Sequence, residues 1–106
     1  MIKKYDKLVR DNIPSIIKES NKDCEIRIVI GEEKLQYLFK KLDEEIIEFK
    51  ENKSLEELAD VRQVLSSIAT ELNIKETELE SFRAKKEKEN GGFEKGIVLV
   101  SVKDFD

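Results

Sequence analysis

The stretch Glu44-Glu45-Ile46-Ile47-Glu48-Phe49-Lys50-Glu51-Asn52-Lys53-Ser54-Leu55-Glu56-Glu57-Leu58-Ala59-Asp60 decides how this chain folds. Its opening residues finish a helical pattern. Leu35, Leu38, Phe39, Leu42, Ile46 and Phe49 recur at helical spacing over about 32–50 as an apolar stripe, with Phe39 and Phe49 assigned to the core. Asn52-Lys53 breaks the pattern. Ser54, with Glu57 three residues on, has the form of a capping box, in which the hydroxyl takes up an otherwise unpaired N–H of the first turn. Leu58, Val61, Leu65, Ile68 and Leu72 then form the stripe of a second helix that fades near Asn73. A connection this short makes the two helices antiparallel.

Working outward, Ile13-Pro14-Ser15-Ile16-Ile17-Lys18-Glu19 reads as a short helix with Pro14 in its first turn and Asp11 or Asn12 as cap. Thr77, followed by Glu80, is placed as the cap of a further helix that stops at Asn90-Gly91-Gly92. Glu25–Ile30 and Ile97–Val102 are rich in β-branched residues and are expected to be short strands. The expectation is one mainly α domain spanning 1–106: an antiparallel helical hairpin within a bundle, with one or two short β-strands.

Composition bounds the chemistry. At 106 residues, with 39% hydrophobic and 42% charged residues, the chain has material for a small core, and oligomerisation would add to it. Its net charge of −4 argues against general binding of nucleic-acid polymers. The single cysteine, Cys24, cannot form an internal disulfide, which fits a cytoplasmic setting, and it reads as a small apolar filler. The N-terminus lacks the pattern of a signal peptide, and no apolar run reaches membrane-spanning length. There is no histidine, which points away from most zinc enzymes, His-based triads and His general bases. Metal chemistry here would run on carboxylates and favours Mg²⁺ or Mn²⁺.

Charge is unevenly placed. Between Asp43 and Asp60 eight acidic residues face two lysines, and between Arg83 and Lys88 four basic residues accompany one acidic. Such runs suit a cation and a polyphosphate together, and they are equally what solvated helix faces look like. The acidic positions obey a further geometry. At roughly 100° per residue, Glu45 and Glu48 fall about 70° and 130° to one side of their helix's stripe. Glu57 and Asp60 fall about 60° and 120° to the same side of theirs. In an antiparallel pair these flanks coincide, so all four carboxylates border one groove, in two matched levels. Their mutual repulsion would be relieved by a divalent cation. Glu57 as capping partner of Ser54, and Glu44 and Glu48 as exposed helix formers, are the plainer alternative.

Glu44-Glu45-Ile46-Ile47-Glu48, followed by Glu57-Leu58-Ala59-Asp60, resembles the EExxE…ExxD signature of the all-α NTP pyrophosphatases, the superfamily of MazG, the all-α dUTPases and phosphoribosyl-ATP pyrophosphohydrolase. Lys7-Leu8-Val9-Arg10-Asp11-Asn12-Ile13-Pro14 is similar to the opening of small MazG-like members, and Lys85–Phe93 to the basic, glycine-terminated end of their later helix. The resemblance implies Mg²⁺-dependent hydrolysis of a nucleoside triphosphate to monophosphate and pyrophosphate, with nucleotide-pool house-cleaning as its expected setting, by a homodimer or homotetramer. Carried onto this chain, Glu45, Glu48, Glu57 and Asp60 would hold Mg²⁺, with Mn²⁺ as a substitute. Glu44, Glu45 and Glu48 would serve catalysis, with Glu44 supporting the site or polarising water. Arg83, Lys86 and Arg10 would bind phosphates. Two departures stand out: a short spacing between Glu48 and Glu57, and Asn90 where relatives often carry arginine. A non-catalytic nucleotide-sensing or partner-binding module and a phosphoribosyl-ATP pyrophosphohydrolase are the alternative readings.

Overall fold

A computed structural model describes residues 1–105. It is mainly helical, with α1 at Ile13–Glu19, α2 at Gly31–Glu51, α3 at Leu55–Glu71 and α4 at Glu76–Asn90. The chain divides into two compact units, Met1–Ile74 and Lys75–Asp106.

In the first unit, α2 and α3 make the dominant contact between elements. Only residues 52–54 join them, so they run antiparallel, as the capping pattern requires. The Glu57 amide donates to Ser54 Oγ at 3.2 Å, which satisfies one of the orphan donors of α3. Leu38 from α2 and Val64 and Ile68 from α3 form the buried core, against which Leu8, Leu35 and Leu42 pack. Phe49 and Val61 are half-buried.

α1 and α3 end alike. Asn21 (φ 61°) and Asn73 (φ 59°) take the left-handed conformation just past their helices. Lys22 N–H then reaches the Ile17 carbonyl at 3.2 Å, and Ile74 N–H the Ala69 carbonyl at 2.8 Å, the six-to-one bonds of a Schellman motif. α1 carries Pro14 in its first turn as expected, but Asn12, at the N-cap, makes no side-chain cap bond.

The N-terminal segment is tied along the hairpin by polar contacts. Tyr37 Oη donates to Asp6 Oδ1 at 2.5 Å and accepts from Arg27 Nη2 at 2.9 Å. Lys7 Nζ lies 3.3 Å from Glu44 Oε1. The bond to Asp6 raises the Tyr37 phenol above its ordinary value.

In the second unit, α4 starts at Glu76 after an extended Lys75, so Thr77 lies inside the first turn and does not cap it. The acidic Glu76 and Glu78 face the positive end of the helix dipole there. Gly91, at φ 85°, supplies the expected stop.

Other expectations are corrected. Neither 25–30 nor 97–102 is a strand; both are irregular, and among the described residues no strand forms. Their β-branched composition suits a pleated surface, but an extended segment becomes a strand only with a ladder partner, and Ile28, Ile30 and Val98–Val100 stay exposed. Phe39 is also exposed, as are Leu58, Leu65 and Leu72 of the α3 stripe. The buried arc of each hairpin helix is turned from its apolar stripe toward the acidic flank. On α3 Val64 and Ile68 lie roughly 80° from the line of the three leucines, while Ala69, also buried, lies on the far side of that line.

Candidate metal centre

That rotation changes where the carboxylates stand. The acidic flank turns toward the helix–helix contact, so Glu45 is buried, Glu57 and Asp60 are half-buried and Glu48 stays exposed. Glu45, one turn beyond Leu42, is 6% exposed, the buried charged residue of the first unit. Glu57, in the first turn of α3, and Asp60, one turn on, are half-buried opposite it. Each of the three offers a carboxylate oxygen within 4.8 Å of the others.

Two observations distinguish this trio from an ordinary acidic surface. Glu45 Oε2 and Glu57 Oε2 are buried and have no hydrogen-bond partner. Such atoms cost the full desolvation of an anionic oxygen unless something positive reaches them. Glu57 is also not spent on the capping box. The Ser54 amide donates to the Asn52 carbonyl at 2.7 Å, so the reciprocal half of that motif is not made and the Glu57 carboxylate remains turned inward. An all-oxygen donor set with anionic ligands and no nitrogen or sulfur fits Mg²⁺ or Mn²⁺.

Glu48 falls outside the trio and is exposed, although its neighbourhood is strongly anionic. Partial loss of hydration at the groove wall raises its carboxyl above 4.5, reinforced by the charge of Glu45, a hydrogen bond shared with Glu45, and the charges of Glu44 and Glu57. Glu44 is drawn elsewhere: its Oε1 lies 3.3 Å from Lys7 Nζ and 3.6 Å from Lys41 Nζ.

The site carries its own cations. Lys41 Nζ sits 3.2 Å from Glu45 Oε1, and Arg10 Nη2 donates to Asp60 Oδ1 at 2.7 Å. The sequence reading gave Arg10 a phosphate role and passed over Lys41. Lys41 stands four residues before Glu45 on one helix face, a spacing that signals an ion pair and that the surrounding acidity obscured.

From this centre a cavity of about 680 Å³ opens between the 8–16 segment and the α2–α3 face. Asp60, Gln63, Ser67 and Thr70 line it at one-turn intervals along α3, opposite apolar Ile13 and Ile16. Its volume lies within the range of small-molecule sites. Arg83 and Lys86 belong to α4 in the second unit. Arg83 there makes a two-pronged contact with Glu80, Nε at 2.9 Å and Nη2 at 2.7 Å, with Glu87 at 3.6 Å, so both acids stabilise its charge.

Among the described residues no helix is long and apolar enough to cross a membrane. No family model, curated protein or solved structure matches this chain.

Proposed function

We propose that this chain is a MazG-like, Mg²⁺-dependent nucleoside triphosphate pyrophosphohydrolase of the all-α NTP pyrophosphatase type, working as a homo-oligomer. The observation that carries the reading is the trio Glu45, Glu57 and Asp60, converging within 4.8 Å. Two of its buried oxygens lack any donor. A group of anions held this way by a tight hairpin is what a divalent cation would stabilise, and it opens on a cavity large enough for a nucleotide.

Glu45, Glu57 and Asp60 would hold Mg²⁺, with Glu48 at the rim. When bound, the ion would neutralise phosphate charge and make a nearby water more acidic. Glu48, whose carboxyl is raised above its ordinary value by lost hydration and the charge of Glu45, would accept the proton of that water. Glu44 steadies Lys7 and Lys41 around the site. Gln63, Ser67 and Thr70 offer donors and acceptors to a sugar or base along α3. Arg10 reaches the acidic end of the cavity and would hold phosphate there; Arg83 and Lys86 keep a phosphate role only through the sequence resemblance.

The test is pyrophosphate release from a panel of ribo- and deoxynucleoside triphosphates with Mg²⁺ or Mn²⁺. The native chain is expected to form monophosphate and pyrophosphate. Glu57→Gln and Asp60→Asn are expected to lose at least about 100-fold in rate, in the range of losing a metal or its orienting shell. A folded native chain that cleaves no triphosphate, or variants as active as native, would sink the proposal.

A further inference from the structure

Asp60 pairs with one cation and would ligate a second. Arg10 Nη2 donates to its Oδ1 at 2.7 Å, while its carboxylate also belongs to the trio within 4.8 Å. A guanidinium and a divalent cation on one carboxylate repel each other, so each weakens the other's hold. Arg10 has somewhere else to go. Its side chain is 57% exposed, and it lines the same cavity as Asp60 and Glu45. Its planar fork matches a phosphate oxygen pair as well as it matches a carboxylate. The backbone before it is anchored separately, by Tyr37 to Asp6 at 2.5 Å and by Lys7 to Glu44 at 3.3 Å, neither of which involves the trio. Arg10 can therefore swing without the segment coming loose. Lys41 differs: it is 18% exposed and bridges Glu44 and Glu45, so it remains a fixed counter-charge.

We propose that Arg10 and the divalent cation exchange at Asp60, so that cation binding hands the guanidinium to the polyphosphate. This rests on the metal-site reading above and adds a regulation to it. Cation and triphosphate bind cooperatively, because the residue that opposes the first is the one that holds the second. By linkage, triphosphate strengthens cation binding by the factor by which the cation strengthens triphosphate binding.

The experiment is Mn²⁺ binding to the full chain, followed by the electron-spin signal of free Mn²⁺, in native protein and in Arg10→Gln, Lys7→Gln and Asp60→Asn. Arg10→Gln is expected to bind Mn²⁺ about 2- to 5-fold tighter, the span associated with removing a competing exposed ion pair. Lys7→Gln makes the same charge change on the same segment but frees only Glu44, and is expected to shift affinity by less than about 1.5-fold. With Mn²⁺ saturating, Arg10→Gln is expected to hold inorganic triphosphate at least about 5-fold more weakly, as loss of a charge-assisted fork implies. Arg10→Lys, which keeps the charge and loses the fork, is expected to retain near-native Mn²⁺ affinity and to share the triphosphate defect. Mn²⁺ affinity in Arg10→Gln equal to native, or no different from Lys7→Gln, overturns the exchange while leaving the metal site standing. Native protein that binds Mn²⁺ no better than Asp60→Asn overturns the site itself and the exchange with it.

Discussion

A carboxylate buried as deeply as Glu45, with one oxygen free of any donor, is a group that folding alone disfavours. In Glu45→Gln the amide can donate to Glu57 across the trio, turning a repulsion into a hydrogen bond. Thermal unfolding with chelator present is expected to show this variant more stable than native by about 1 kcal/mol, the worth of one net hydrogen bond. Destabilisation of that size would mean that Glu45 serves the fold through Lys41 rather than a ligand. Glu48 makes a prediction with the opposite sign to most carboxylates. Its folded value lies above 4.5, so between 4.5 and that raised value the folded chain keeps a proton that the unfolded chain has released. Stability from this group is present below 4.5 and lost as pH rises through the window. Denaturant titrations with chelator, run from pH 4.5 to 7, are expected to show native protein losing ground to Glu48→Gln as pH rises. Parallel curves for the two proteins would contradict the shift.

At the scale of elements, the site depends on where α3 begins. Ser54 Oγ caps the helix through the Glu57 amide, so the residue that starts α3 also fixes the backbone from which a carboxylate of the trio projects. Ser54→Ala is expected to cost about 1 kcal/mol of stability, and to weaken Mn²⁺ binding although Ser54 offers no ligand atom. Calorimetric titration showing weakened stability with unchanged Mn²⁺ affinity would separate the cap from the site. The hairpin itself was legible in the residues, because the Ser54 signature, the break at Asn52-Lys53 and the two stripes all report on local geometry. The acidic partners were legible for the same reason. What single-helix periodicity does not encode is how far each helix rolls when the pair closes. The roll brought Glu45 and Glu57 inside, left Glu48 outside, and exposed Leu58, Leu65 and Leu72. The expected strands at 25–30 and 97–102 failed on a similar point, since β-branched residues describe a fitting surface and a ladder partner is non-local.

At the scale of the whole molecule, the core is too small for the apolar surface the chain carries. Leu38, Val64, Ile68 and Ala69 are its buried apolar residues, and no described side chain is fully buried. Meanwhile Leu58, Leu65 and Leu72 repeat at seven-residue intervals down one side of α3, and Phe39 and Ile47 stand exposed on α2. A seven-residue apolar repeat is the seam by which helices associate. Its line lies roughly 80° around α3 from Glu57 and from the direction of Val64 and Ile68, so covering it leaves the site open. The proposed homo-oligomer would use this seam. Light scattering after size exclusion is expected to give a mass at least twice that of the 12.4 kDa chain. Leu65→Glu, which sets a charge in the middle of the row, is expected to lower that mass toward one chain and to reduce the unfolding temperature together with it. Because the seam and the trio lie on different sides of α3, the same variant should still bind Mn²⁺ wherever it remains folded. A native mass of one chain, or a Leu65→Glu protein that keeps the native mass, would show that these leucines stay in water and that the small core carries the fold alone.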